Sequence, residues 1–187
     1  MKAKLAVFDL DGTLYDTSAV NFTAYKQALE DEGYEISQDF FERECFGKYY
    51  LDFLPLIIPN PTSEQMERVH NRKTALYSDC LGMARENSLL FDLICTIKER
   101  YYIALVTTAS RKNCDDILVF FNRKELFDLI ITHNDVENVK PHPEGFIKAM
   151  QHFNMSPQDT VIYEDSPIGI EAAIRSEASV LCVMNLI

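Results

Sequence analysis

A short apolar run near the amino terminus leads into two carboxylates. The run is KLAVF, residues 4–8, and it is followed at once by Asp9, Asp11 and Gly12. Burying a carboxylate is costly unless a positive partner or hydrogen bonds compensate its charge. Because side chains two residues apart in an extended chain point to the same side, Asp9 and Asp11 are expected to face one ligand. Their oxygens favour Mg²⁺, and Gly12 lets loop amides turn toward an anion.

Polar residues with related chemistry follow three further apolar runs. Thr107 and Thr108 come after YYIALV, Lys140 comes after LIIT and a polar loop, and Glu164 and Asp165 come after VIY. Parallel strands present their carboxyl ends at one edge of a sheet, so these side chains are expected to converge there. Carboxylates, a cation among them, a hydroxyl and a lysine are typical of phosphoryl transfer. In such a site a carboxylate attacks phosphorus, and the metal and lysine spread the charge of the transition state.

Strand and helix patterns alternate through most of the chain. Apolar runs typical of buried parallel strands lie at residues 4–8, 101–107, 126–132, 160–164 and 179–184. Helical patterns lie between them, in RKNCDDILVFFNRKEL, PEGFIKAMQHF and SPIGIEAAIRSE. This alternation predicts an α/β protein with a Rossmann-like, three-layer core built on a parallel sheet.

The segment 17–88 interrupts this alternation because it shows helical patterns and no convincing strand. We therefore predict a core of residues 1–16 and 89–187, with an α-helical cap of residues 17–88 inserted after the first strand. The hinges are expected near residues 16–20 and 86–90. The cap would close over the site, exclude bulk water and select the leaving group.

The composition disfavours several classes of protein and partner. Acids outnumber bases by 29 to 18 in 187 residues, for a net charge of −11, so nucleic acid is not an expected partner. The five cysteines form no CxxC pair, which favours reduced thiols in a cytoplasmic protein and disfavours zinc. The first apolar run is too short for a signal peptide or a membrane span, so no membrane partner is expected. No residue specifies an oligomeric state, and a monomer is the favoured expectation.

Four segments, in chain order, resemble the motifs of the haloacid dehalogenase superfamily. They are DLDGTLYDT, LVTTAS, VKPHPEGF and VIYEDSPIGIEAA. The helical insertion between the first two resembles the cap of the β-phosphoglucomutase and phosphoglycolate phosphatase branch. The resemblance implies that Asp9 is the nucleophile. It implies that Asp11 is the general acid and base, which protonates the leaving oxygen and then activates water.

The same resemblance implies how metal and phosphate are bound. The ligands that it implies for Mg²⁺ are Asp9, the carbonyl of Asp11, Glu164 and Asp165. The groups that it implies for the phosphoryl group are Thr107 and Lys140, with Gly12 in the loop. The second motif fits equally if shifted by one residue, which would replace Thr107 by Thr108.

Two positions differ from the mutases of this branch. Mutases carry a histidine in the first hinge, where this chain has Asn21. They also carry an arginine in a cap loop, where this chain has Tyr50 with Lys48 nearby. Lys48 is a candidate substrate contact and equally a solvated surface lysine. The differences favour Mg²⁺-dependent hydrolysis of a small phosphomonoester, a phosphorylated metabolite, through an aspartyl-phosphate.

Three alternatives to this phosphatase stay open. A sugar-phosphate mutase, such as a β-phosphoglucomutase, shares every core motif but is disfavoured by Asn21. A dehalogenase attacks carbon with the first aspartate and has no use for Asp11 or Asp165. A non-catalytic binding protein on the same fold is disfavoured by the intact acids. The short stretch after Val183, and RSEASV where the family usually has Ala-Gly, keep that last alternative open.

Overall fold

The computed structural model describes residues 2–184 and consists of two compact units. The core unit comprises Met1–Asp16 and Arg85–Ile187, and the helical unit comprises Thr17–Ala84. The second junction thus lies four residues before the predicted one at residue 88. Residue 1 and residues 185–187, which make up most of the short stretch after Val183, lie outside the described residues.

Strands are confined to the core unit among the described residues. In chain order they are β1 (Lys4–Phe8), β2 (Tyr15–Asp16), β3 (Arg85–Glu86), β4 (Tyr101–Val106), β5 (Leu129–Ile131), β6 (Thr160–Glu164) and β7 (Ser179–Cys182). The α-helices are α1 (Ser18–Glu30), α2 (Gln38–Glu44), α3 (Tyr50–Phe53), α4 (Ser63–Leu76), α5 (Ser88–Ile97), α6 (Arg111–Phe120), α7 (Glu144–Phe153) and α8 (Pro167–Arg175). Helices α1–α4 belong to the helical unit and α5–α8 to the core unit. Every helix within residues 2–184 is too short or too polar to cross a bilayer.

Strand β1 lies at the centre of a five-stranded parallel sheet with the order β5-β4-β1-β6-β7. Leu5 of β1 pairs with Tyr102 of β4 on one side and with Thr160 of β6 on the other. The side chains of Leu5 and Val7 pack in one buried cluster with Phe146 of α7. Burial on both faces explains why β1 reads as a continuous apolar run. The predicted α/β fold with a Rossmann-like parallel sheet is confirmed.

Strands β2 and β3, which lie on either side of the helical unit in the chain, form a small two-stranded antiparallel sheet that the sequence did not reveal. Tyr15 pairs with Glu86, and Asp16 pairs with Arg85. The expectation that residues 17–88 contain no strand was therefore wrong at Arg85–Glu86. Two residues are too few to show the alternation by which strands are recognised. In the main sheet, β4 is one residue shorter than predicted, because it ends at Val106 and not at residue 107.

The helical unit is organised around α1 and α4, which pack against each other. Its centre is an aromatic cluster in which Tyr25 lies 5.0 Å from Phe53 and 5.9 Å from Phe41, between ring centroids. Helix α4 begins after Thr62, whose side chain accepts a hydrogen bond from the amide of Gln65. This unit is therefore stabilised by aromatic burial and by local helix caps.

Candidate active site

Most of the predicted site residues meet at the carboxyl ends of the parallel strands. Asp9 follows β1, Thr107 follows β4, Glu164 ends β6 and Asp165 follows it. Lys140 comes from the loop before α7 and reaches the same edge. Four separate segments of chain therefore supply one cluster of polar side chains, as expected for ligand binding in an open parallel sheet.

Lys140 is buried and joins two carboxylates. Its Nζ lies 2.5 Å from Oδ1 of Asp9 and 2.6 Å from Oε1 of Glu164, and it donates to the carbonyl of Val106 at 2.9 Å. Although burial alone lowers the pKa of Lys140, the charges of Asp9 and Glu164 raise it above its ordinary value. The ammonium is therefore charged at neutral pH and holds Asp9 in a fixed orientation.

Gly12 and Thr13 hold Asp165 from the loop after β1. The Thr13 hydroxyl donates to Oδ1 of Asp165 at 2.7 Å. A Cβ atom on Gly12 would lie 2.1 Å from Oδ2 of Asp165, and Gly12 has a φ of +88°. Glycine is thus required here both by the backbone conformation and by the close approach of a carboxylate.

Glu164 is fully buried, and both of its carboxylate oxygens are engaged. One oxygen accepts from Lys140, and the other accepts from the amide and the hydroxyl of Ser166 at 2.9 Å and 3.1 Å. A Cβ atom on Gly169 of α8 would lie 1.7 Å from Oε1. The Ser166 hydroxyl also caps α8 by accepting from the amide of Gly169 at 3.1 Å. Glu164 therefore orients Lys140 as well as offering oxygens to a cation.

The donor set fits a divalent cation. Carboxylate oxygens of Asp9, Glu164 and Asp165 all lie within 4.8 Å of one another. Burial, reinforced by the neighbouring carboxylates, raises the pKa of Asp9 despite Lys140. Burial raises the pKa of Asp165 to about 6, against the hydrogen bond from Thr13. Three carboxylates around one lysine call for more positive charge, and hard oxygen donors suit Mg²⁺.

Asp11 is held by the backbone of the loop between β1 and β2. It forms a bridge with Tyr15, whose carbonyl accepts from the amide of Gly12 at 2.7 Å. The amide of Tyr15 donates in turn to the carbonyl of Leu10 at 3.0 Å. The Asp11 carboxylate is not part of the trio that the described residues form around the cation site. Asp11 was expected to reach the metal through its carbonyl, which leaves the carboxylate for proton transfer.

Thr107 and Thr108 both line a recess beside Lys140. Thr107 is buried, and its Oγ1 accepts from the amide of Ala109 at 3.0 Å. Its hydroxyl hydrogen can therefore be donated to a phosphate oxygen. The carbonyl of Thr108 lies 3.3 Å from Nδ1 of His133. Both threonines line the recess, so the choice between them for the phosphate-binding role stays open.

Lys48, the predicted substrate contact, belongs to the helical unit. Its Nζ lies 3.6 Å from the carboxylate of Glu44, one turn earlier, and both side chains are partly exposed. This contact is a surface ion pair between residues i and i+4.

Sequence reasoning missed three residues that shape the site. Thr13 binds Asp165, Ser166 binds Glu164, and Gly169 leaves space for Glu164. Ser166 acts twice, because its hydroxyl both caps α8 and donates to Glu164. Thr13 and Asp165 lie far apart in the chain, so spacing along the sequence carries no signal for their contact. Ser166 and Gly169 lie close to Glu164 in the chain, but their contacts depend on how the chain turns into α8.

Comparison with known proteins places this geometry in context. The family model described as haloacid dehalogenase-like hydrolase matches residues 6–183. The phosphorylated carbohydrates phosphatase of Thermotoga maritima is 29% identical over 173 residues, covering 89% of this chain and 78% of that protein. Pyrophosphatase PpaX of Bacillus cereus is 28% identical over 175 residues, covering 89% of this chain and 76% of that protein. The crystal structure of CbbY from Rhodobacter sphaeroides in complex with phosphate has the same fold. Its TM-score is 0.84 at 21% identity, covering 95% of this chain and 84% of that chain.

Proposed function

The chain belongs to the haloacid dehalogenase-like hydrolase family, and we propose that it is a Mg²⁺-dependent phosphatase of small phosphomonoesters. The observation that carries the proposal is the buried contact of Lys140 with both Asp9 and Glu164, next to Asp165. A nucleophilic carboxylate, a fixed positive charge and a cation site within one cluster suit attack on phosphorus.

In the first half-reaction a carboxylate oxygen of Asp9 forms a bond to phosphorus, and the bond from phosphorus to the ester oxygen breaks. Asp11 gives its proton to the departing oxygen, so an alcohol leaves. Lys140 holds Asp9 by a hydrogen bond at 2.5 Å and adds positive charge beside the transferring group. The hydroxyl of Thr107 or Thr108 donates to a phosphoryl oxygen.

In the second half-reaction Asp11 takes a proton from water, and the water oxygen attacks phosphorus. The bond between phosphorus and Asp9 breaks, which releases phosphate and restores both carboxyl groups to their starting protonation states. The residues that would hold Mg²⁺ are Asp9, Glu164, Asp165 and the carbonyl of Asp11. Bound Mg²⁺ would neutralise charge on the phosphoryl oxygens.

A phosphatase is favoured over a mutase by the hinge position of the helical unit. Asn21 occupies that position, and its amide donates to the carbonyl and the hydroxyl of Thr17 at 3.1 Å and 3.0 Å. An amide side chain cannot act as an acid or a base near neutral pH, whereas histidine can. Tyr50, at the position of the mutase arginine, is stacked on His70 with ring centroids 4.0 Å apart.

We propose a phosphorylated carbohydrate as the first substrate class to test. The support is the name of the Thermotoga maritima relative, a phosphatase of such compounds. We also propose that the helical unit acts as the cap expected from the sequence and selects among leaving groups. Pyrophosphate belongs in the same panel because the Bacillus cereus relative is a pyrophosphatase.

The decisive experiment measures phosphate release from sugar phosphates, phosphoglycolate, nucleoside monophosphates and pyrophosphate, with and without Mg²⁺. The wild type is expected to release phosphate only with Mg²⁺, and Asp9→Asn is expected to release none. Asp92→Asn, on the exposed side of α5, is the matched control and should retain activity. No release by the folded wild type from any ester would overturn the proposal. Formation of an isomeric sugar phosphate without phosphate release, in the presence of a priming bisphosphate, would establish the mutase instead.

A further inference from the structure

The loop that carries Asp11 is anchored through the two-stranded sheet β2–β3. Tyr15 begins β2, and its main chain binds both Gly12 and Leu10. Its partner on the neighbouring strand is Glu86 of β3. A shift of Glu86 would therefore be passed to the loop through one pair of adjacent backbone segments.

Asn87 adds two more bonds between this loop and the chain after β3. Its amide donates to the carbonyl of Leu14 at 2.8 Å, and its side chain donates to the carbonyl of Thr13 at 3.2 Å. The side-chain oxygen of Asn87 accepts from the amide of Leu90 and so caps α5. The segment 86–87 is thus the main support of residues 13–15 on this side.

Arg123 fixes Glu86 from the segment that follows α6. Its Nε and Nη2 donate to the two carboxylate oxygens at 3.1 Å and 2.8 Å, which is a bidentate pair. The guanidinium also lies over the ring of Phe91, 4.9 Å from its centroid. The side chains are only 33% and 25% exposed, so water weakens this pair less than a typical surface pair.

Tyr15 depends on this support because its side chain is held by packing. Its ring is fully buried between Phe91 and Phe121, with centroids at 5.3 Å and 5.0 Å. Its hydroxyl has no hydrogen-bond partner within residues 2–184. Packing is not directional, whereas the hydrogen bonds from Arg123 to Glu86 fix the strand beside this ring in one geometry.

We infer that Arg123 and Glu86 are positioning residues for Asp11, which they hold at the leaving oxygen through β3, β2 and the loop of residues 10–15. The inference rests on the proposed function, because it assigns a purpose to the position of the general acid. It adds Glu86 of β3 and Arg123 from the segment after α6 to a site otherwise built at the strand ends.

A misplaced general acid has a characteristic kinetic signature. An alkoxide is a poor leaving group and needs a proton, whereas 4-nitrophenolate leaves readily without one. The value of kcat/KM covers only the steps up to departure of the leaving group, so it excludes the later role of Asp11 as a base. A variant that displaces Asp11 should therefore be impaired on alkyl esters far more than on 4-nitrophenyl phosphate.

The experiment compares kcat/KM for 4-nitrophenyl phosphate with that for glucose 6-phosphate, or for the alkyl ester of the panel that reacts fastest. Arg123→Ala is expected to lower kcat/KM about tenfold more for the alkyl ester than for 4-nitrophenyl phosphate. This factor is only a fraction of the full effect of a general acid. Arg123→Lys, which keeps the charge without the fork, should lie between Arg123→Ala and the wild type. Lys112→Ala is the control, since it removes an exposed pair with Asp116 at 2.6 Å on α6.

Glu86→Gln gives the same comparison from the other partner and replaces Arg123→Ala if that variant does not fold. Equal losses on both esters, or no loss on either, would overturn the positioning role while leaving the phosphatase intact. No release from either ester by the wild type would overturn the phosphatase and this inference with it.

Discussion

The core unit and the helical unit each bury a lysine, and they surround it in opposite ways. Lys140 and Lys73 are both 6% exposed. Lys140 lies between the carboxylates of Asp9 and Glu164, at the edge of the sheet. The ammonium of Lys73 in α4 lies 4.5 Å from the ring centroid of Tyr77 and 5.2 Å from that of Tyr25.

The difference separates a site that needs a ligand from a packed interior. Aromatic faces attract a cation without carrying charge, whereas carboxylates bring negative charge to the lysine that they contact. The carboxylates around Lys140 outnumber it, and this arrangement supports the proposal that a divalent cation binds there. The glycines of the two units also differ in the space around them. Carboxylates crowd the Cβ positions of Gly12 and Gly169, whereas no atom lies within 4 Å of the Cβ positions of Gly33 and Gly82.

The sharpest test of the comparison replaces each lysine by methionine, which keeps most of the length and removes the charge. In chelator, Lys140→Met is expected to lower the free energy of unfolding by about 3–5 kcal/mol, because it strands buried carboxylates. Lys73→Met removes the contacts with the rings of Tyr77 and Tyr25 and should cost less, about 2 kcal/mol. Urea titrations of both variants measure these energies, and phosphate release should vanish only in Lys140→Met. Equal destabilisation by the two changes would contradict the distinction.

The crowded glycines provide a second, smaller test. Gly169→Ala places a Cβ atom against Glu164, which is fixed by Lys140 and Ser166 and cannot easily move. We expect a loss of about 1–3 kcal/mol together with a lower rate of phosphate release. Gly82→Ala is the matched change in the helical unit, where it should leave stability within about 0.5 kcal/mol of the wild type. Thermal unfolding and the phosphatase assay distinguish the two, and a harmless Gly169→Ala would refute the crowding argument.

Two buried tyrosines extend the comparison to single hydroxyls. The hydroxyl of Tyr25 lies 3.1 Å from Nδ1 of His70, whereas that of Tyr15 has no partner among the described residues. Tyr25→Phe should therefore cost about 1 kcal/mol, and Tyr15→Phe should leave stability unchanged or raise it by up to about 1 kcal/mol. Denaturant unfolding of both variants gives the answer. A loss in Tyr15→Phe as large as that in Tyr25→Phe would mean that its hydroxyl is bonded, for instance to water.

Much of the core could be predicted because β1 and β6 are buried by their neighbours and read as apolar runs. The two-stranded sheet β2–β3 could not be predicted, because its two-residue strands are far apart in the chain and owe their pairing to tertiary contacts. Within the segment expected to be helical, α3 ends at Phe53 and is followed by a turn of 3₁₀ helix at Leu54–Leu56 that contains Pro55. Local patterns thus indicate long buried elements well and short, context-dependent ones poorly.

The candidate site divides in the same way. Asp9, Lys140 and Asp165 could be proposed because motifs place carboxylates and a lysine after strands that share an edge. The contacts of Arg123 with Glu86, and of Thr13 with Asp165, could not be foreseen from the sequence. Each joins residues separated by long stretches of chain, and the residue types are common on any surface.

The smallest expected effect concerns the loop that delivers Lys140. Glu144 opens α7 and binds Lys148, and its carboxylate also accepts from the amides of Glu137 and Asn138, both at 2.9 Å. The hydrogen bond from Lys148 and those from the two amides lower the pKa of Glu144 from 4.5 to about 2. A lowered pKa means that the folded state binds the proton more weakly than the unfolded state. The resulting stabilisation is complete above pH 4.5 and is lost as the pH falls toward 2.

Glu144→Gln should therefore lower the melting temperature slightly above pH 4.5, and the difference from the wild type should shrink as the pH approaches 2. The matched change in the helical unit is Glu30→Gln, at a looser i,i+4 pair with Lys26 at 3.9 Å. Because that pair anchors no loop, its removal should leave phosphate release unaffected, whereas Glu144→Gln should raise KM by loosening the segment before Lys140. Thermal melts across this pH range test the charge, and the assay at neutral pH tests the loop. A melting difference that stays constant down to pH 2 would show that Glu144 acts through its shape and not through its charge.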